Sequence, residues 1–170
     1  LLDQGYEVVV LDDLSSGVKE NLDAAWNKHG ARLMLVIGSI CDVATVAAAM
    51  KGVQHVFHQA AKSLVPLSLD HPEMVTTVNV MGTLTVLQEA REAGVERVVY
   101  ASSASVYGDA IQEENGIPVG AVHEGRLPAP ISPYAASKLS AEYLCHTWTS
   151  CYGLATTSLR YFNVYGPRQR

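Results

Sequence analysis

Tyr134 and Lys138 stand four residues apart in "SPYAASK", with only Ala135, Ala136 and Ser137 between them. On a helix, residues i and i+4 lie about 40° apart around the axis, so a phenol and an ammonium at these positions share a face. A free tyrosine titrates near ~10, and a base working near neutrality needs a value about three units lower, roughly 4 kcal/mol of help for the phenolate. A neighbouring cation supplies part of that help. The plain alternative is an exposed surface pair, and the spacing alone does not decide between them. Three neighbours favour the chemical reading. Ser132 can cap the helix, Pro133 opens it at a fixed φ, and Ser103 ends the preceding strand.

The elements that must position these residues follow from periodicity. Runs rich in β-branched and apolar residues predict strands over 6–12, 31–38, 53–60, 97–103 and 155–162. Between them, helices are predicted over 18–29, 42–51, 72–93 and 132–152, with Asp42 as an N-cap and Gly94 as a C-cap. Apolar strands alternating with helices predict an α/β fold, a Rossmann-type doubly wound parallel sheet covered on both faces. The long loop over 107–131 carries Gly, Pro and Glu, and at that length a functional role is expected.

In open α/β sheets, ligands sit outside the carboxyl ends of the strands. Asp12 and Asp13 end the first strand, Ser39 the second, Gln59 to Lys62 the third, Ser102 and Ser103 the fourth, and Asn163 the fifth. Polar or small residues at every such end predict one ligand crevice along that edge. An acidic residue in Asp12's place can hydrogen-bond the adenosine ribose of NAD and repel the extra phosphate of NADP. It can equally be a loop or capping aspartate. The G-x-G-x-x-G fingerprint that would cradle the pyrophosphate does not occur in the 170 residues.

Composition narrows the partners. A chain that is 48% hydrophobic and 17% charged is ordinary for a globular domain. Its net charge of -5 comes without a basic run, which excludes the electrostatic footprint for nucleic acid or an anionic membrane surface. No apolar run approaches the ~20 residues that span a bilayer. Cys41, Cys145 and Cys151 form no C-x-x-C pair and are expected to be reduced thiols in a cytoplasm. His55 and His58, three apart in a strand, point to opposite faces, so no metal site is expected. "ASSAS" around Ser103 is not a G-x-S-x-G nucleophile elbow. The opening "LLDQGYEVVVLDD" reads as a helix tail, a turn and a strand, and the end at "YGPRQR" is equally abrupt, so residues 1–170 are expected to be a partial domain, truncated at both ends.

"YASSASVYGD", "SPYAASK" and "RYFNVYGPRQ", in this order and spacing, resemble the extended short-chain dehydrogenase/reductase family, in particular its NAD-dependent nucleotide-sugar epimerase/dehydratase group. "VVVLDDLSSG", "VFHQAAKSLVPLSLDHP" and "NVMGTLTVLQEA" match the same group, so the resemblance spans essentially the whole chain. It implies that Tyr134 is the catalytic base, that Lys138 binds the nicotinamide ribose and lowers the tyrosine pKa, and that Ser103 hydrogen-bonds the sugar oxygen. It implies further that Asp12, Asp13 and Ser16 hold the adenosine ribose and that Ser39 and Ile40 flank adenine, although the family usually has Asp where Ser39 stands. Gln59, Ala60, Ala61 and Lys62 would pass under the dinucleotide, with Asn79 among its contacts. Phe162 would lie near the nicotinamide and Asn163 near the sugar-nucleotide phosphates.

Within the group, 4,6-dehydratases and decarboxylases generally carry acidic residues just after the serine that Ser103 matches, because eliminating water needs another acid/base pair. Ala104 and Ser105 stand there. The resemblance therefore leans to 4-epimerisation of a UDP-hexose or its N-acetylated form, as in UDP-glucose and UDP-N-acetylglucosamine 4-epimerases. It also implies a homodimer through the helices at 72–93 and 132–152. A dehydratase, decarboxylase or reductase of the same family remains open. So do a non-catalytic dinucleotide-binding module and an inactive fragment.

Overall fold

The computed structural model describes residues 1–108, the backbone of Glu113–Glu114 and Ile117–Pro118, and residues 122–168. Strands and helices alternate from the start: β1 (Val8–Asp12), α1 (Asp23–His29), β2 (Leu33–Ile37), α2 (Val43–Ala49) and β3 (His55–His58). Two short helices, α3 (Val65–Asp70) and α4 (Pro72–Thr76), lead through a π-helical turn (Thr77–Met81) into α5 (Gly82–Glu92). Then come β4 (Arg97–Ser103), the short pair β5 (Glu113–Glu114) and β6 (Ile117–Pro118), α6 (Pro133–Tyr152) and β7 (Ala155–Tyr161).

The predicted elements form, and local chemistry sets their ends. Asp42 caps α2 by accepting from the Ala44 and Thr45 amides. Gly94 follows α5 at a φ of +72°, a conformation open to glycine without a steric cost. Two elements differ from expectation. Helix α3 was not foreseen, because Pro66 and Pro72 punctuate a stretch too short to show a period. The helix predicted over 72–93 is one continuous rod interrupted by the π-helical turn.

All pairings among β1, β2, β3, β4 and β7 are parallel, as the crossover helices require. They form two ladders, β1–β2 and β3–β4–β7, rather than one continuous sheet. The break falls between β1 and β3, where a doubly wound sheet would seat the strand that leads into a glycine-rich loop. Burial on both faces is incomplete. Met34 and Ile37 of β2 are exposed, as is Phe57 of β3, and Val8 to Leu11 are only half-buried.

The core lies beneath the three-stranded ladder. Val98 and Tyr100 of β4 pack with Val86, Leu87 and Ala90 of α5, Ala141 and Cys145 of α6, and Val46 of α2. Burying each such aliphatic side chain stabilises the fold by about 1.5–3 kcal/mol. These contacts fix α6 against the end of β4.

Candidate active site

Helix α6 begins as its sequence dictates. Ser132 Oγ accepts from the Ala135 amide at 3.1 Å, and Pro133 occupies the first turn. Tyr134 and Lys138 both fall on the buried face of this helix, 8% and 4% exposed. The Lys138 ammonium donates to the Ala101 carbonyl of β4 at 2.6 Å and lies 5.0 Å from the centre of the Tyr100 ring. Burial pulls its pKa down to about 8. A carbonyl and an aromatic face thus hold a cation where water is scarce.

The residues between the pair have a packing role. Ala135 and Ser137 are buried and Ala136 is exposed. Ser137 donates to the Tyr134 carbonyl at 2.7 Å and accepts from Asn79 Nδ2 at 2.9 Å. Small side chains here let α6 approach the π-helical turn closely.

Ser103 ends β4 in register with Tyr161 of β7. Its hydroxyl accepts from the Ser105 amide at 3.1 Å and donates to Ser105 Oγ, so it is held at the head of the turn Ala104–Tyr107. Beside it, Ser102 Oγ is buried with no partner among the described residues. That turn ends at Gly108, whose φ is +69° and where a Cβ would lie 2.1 Å from the Ala129 carbonyl oxygen. Most of the long loop over 107–131 lies outside the described residues.

At the other end of the edge, Asp12 Oδ1 accepts from the Leu14 amide at 2.8 Å, leaving its second oxygen outside that turn. Asp13 Oδ1 takes both the amide and the hydroxyl of Ser15, and these bonds hold its carboxyl below the usual range. Lys62 Nζ donates to Ser15 Oγ at 2.5 Å and lies 3.5 Å from Asp13 Oδ2, so the turn after β3 reaches the turn after β1. Ser16 and Gln59 are exposed, while Ala60 and Ala61 are half-buried. Asn79 is 1% exposed and clamps the Lys62 backbone from both sides, accepting from its amide at 2.8 Å and donating to its carbonyl at 3.1 Å. Phe162 and Asn163 follow β7 on the surface.

Ile40 lies in the turn after β2. Its side chain belongs to the core, 7% exposed, and presses on Gly82, where a Cβ would sit 2.5 Å from Ile40 Cδ1. Ser39 Oγ accepts from the Cys41 amide at 3.1 Å and stays at the rim.

A model of the NAD dependent epimerase/dehydratase family matches residues 1–170. The chain belongs to that family. It is 39% identical over 172 residues to a UDP-glucose 4-epimerase of Mycolicibacterium smegmatis, covering 99% of this chain and 52% of that relative. The structure of a UDP-glucose 4-epimerase from Thermus thermophilus in complex with NAD matches with a TM-score of 0.87 at 37% identity, over 100% of this chain and 51% of that one. DesIV, a dTDP-glucose 4,6-dehydratase from Streptomyces venezuelae solved with NAD and TYD bound, matches with a TM-score of 0.87 at 38% identity, over 96% and 48%. The chain spans about half the length of the relatives it matches.

The family's cofactor is NAD, and the residues of this epimerase/dehydratase chain fit the two ends of such a molecule. A carboxylate stands at the end of β1, and a buried cation and two serine hydroxyls, one with no partner among the described residues, stand at the end of β4. No glycine-rich cradle for the pyrophosphate occurs in residues 1–170. An open cavity of about 470 Å³ lies elsewhere, along the C-terminal half of α6 and β7, lined by Glu142, His146 and Ser158 among others. It shares no residue with the crevice, whose chemistry is the better guide to function.

Sequence reasoning missed the groups that support the site. Arg160 of β7 binds Glu142 of α6 through two hydrogen bonds of 2.8 Å and stacks 4.7 Å from the Tyr107 ring, tying the turn after Ser103 to α6. The bond between His58 and Thr83, the residue that donates to the Asn79 carbonyl, was likewise missed. Neither link carries a periodic signal, because each joins residues of different elements, 18 and 25 positions apart.

Proposed function

We propose that this chain is the NAD-binding and catalytic part of a nucleotide-sugar 4-epimerase acting on a UDP-hexose or a UDP-N-acetylhexosamine. The observation that carries the reading is Lys138 of α6 bonded to the Ala101 carbonyl, two residues before Ser103 at the end of β4, with Tyr134 one turn earlier on the same buried helix face. In this reading Tyr134 takes the proton of the sugar 4-hydroxyl as C4 is oxidised, and returns it when the 4-keto sugar has turned its other face. Bound NAD would supply the hydride acceptor, and then donor, for C4. Ser103 donates a hydrogen bond to the same sugar oxygen. Lys138 supports the negative charge on the tyrosine and holds the nicotinamide ribose, work done by position and charge. Asp12, Asp13, Ser16 and Ser39 serve the adenosine end, Gln59 to Lys62 and Asn79 the middle, Phe162 the nicotinamide and Asn163 the sugar-nucleotide phosphates. The reaction is redox-neutral overall.

The likeness to DesIV supports a second reading, 4,6-dehydration. Ala104 and Ser105, which offer no acid/base pair after Ser103, favour epimerisation. Exposed Met74, Met81 and Tyr143 on the two long helices support a homodimer through those faces, and three free cysteines support a cytoplasmic setting. Incubating the full-length protein with UDP-glucose and UDP-N-acetylglucosamine decides the reaction. The 4-epimer is expected, with turnover reduced about 10²-fold or more in Tyr134→Phe; a 4,6-dehydrated keto product overturns the reading.

A further inference from the structure

We propose that His58 is a positioning residue which, through Thr83, fixes Asn79 and so sets both the backbone turn at Lys62 and the start of α6. None of the roles above uses His58, yet it is 3% exposed at the end of β3 with its Nε2 2.8 Å from Thr83 Oγ1. Thr83 Oγ1 lies 2.6 Å from the Asn79 carbonyl. A hydroxyl has one hydrogen and a carbonyl can only accept, so the Thr83 hydrogen goes to Asn79. His58 must therefore present Nε2–H, and its tautomer is settled by the chain of bonds.

Asn79 stands in the π-helical turn, a device that concentrates at functional positions. Its amide serves three partners, the Lys62 amide, the Lys62 carbonyl and Ser137 Oγ. Ser137 passes its own hydrogen to the Tyr134 carbonyl. His58, Thr83, Asn79 and Ser137 are all at most 3% exposed. Four polar side chains buried this deeply are costly unless every bond is made, whereas apolar residues would fill the space at no such cost. What the bonds provide is geometry, because they join β3, the turn after it, α5 and α6 at one point. The catalytic consequence rests on the epimerase reading; the bonding itself does not.

Hydrogen exchange at the Lys62 amide, followed by NMR in the full chain, tests this without cofactor or substrate. Thr83→Val removes the hydroxyl at nearly constant shape. Protection at Lys62 should fall roughly tenfold or more, the scale of one buried hydrogen bond, while the amide of Val98 in β4 keeps its protection. Thr83→Ser should restore Lys62. His58→Gln, which keeps a donor, should retain more protection than His58→Leu. Unchanged protection at Lys62 in Thr83→Val, or no rescue by Thr83→Ser, overturns the proposal. Failure of the sugar-nucleotide assay would leave these exchange rates where they are, so the two ideas fall separately.

Discussion

Lys138 is an ammonium held almost out of water, and its burial has a signature in stability. Its folded pKa of about 8 lies below the ordinary 10.5, because burial penalises the charged form. Between those values the unfolded chain binds more protons than the folded one, so stability rises as pH rises from about 8 to about 10.5. Below pH 8 both states are protonated and the penalty is fully present. Lys138→Met should flatten that rise and stabilise the chain at pH 7 by on the order of 3 kcal/mol, read from urea unfolding at a series of pH values. Such a gain would show that the fold tolerates a destabilising cation for the sake of its chemistry.

At the scale of elements, glycines separate conformational cost from steric cost. Gly94 and Gly108 both have positive φ, +72° and +69°, but a Cβ on Gly94 meets nothing within 4 Å while one on Gly108 strikes the Ala129 carbonyl. Gly94→Ala should cost about 1 kcal/mol, and Gly108→Ala clearly more, as the return strand of the loop must shift. Thermal unfolding of the two variants side by side checks this. Legibility followed the same division between local and distant causes. Strand β4, the Asp42 and Ser132 caps and the start of α6 were readable, because periodicity and capping are written in neighbouring residues. Helix α3 was not, for want of length, nor was the π-helical turn, which changes no residue type. The motif residues Ser103, Tyr134 and Lys138 stood out, whereas the packing of the Ile40 side chain on Gly82 joins residues 42 positions apart and has no local signal.

For the whole molecule, the break between the two ladders governs behaviour. The alternation of elements announced a parallel sheet, but which strands are neighbours is a long-range property that periodicity does not encode. With no pyrophosphate cradle in residues 1–170, NAD should bind these residues more weakly than micromolar. Calorimetry on the 170-residue chain tests this, and a micromolar or tighter constant would refute it. The π-helical turn adds a consequence for how the chain can vary. Such a turn holds one residue more than an α-turn, and a residue is worth about 100° of rotation. Deletion of Val80 or Met81, harmless in length to a surface loop, would swing Asn79 out of line with Thr83, Val86 and Leu87. Insertions and deletions should therefore accumulate in the turns of this protein and be purged from a stretch in the middle of its longest helical rod.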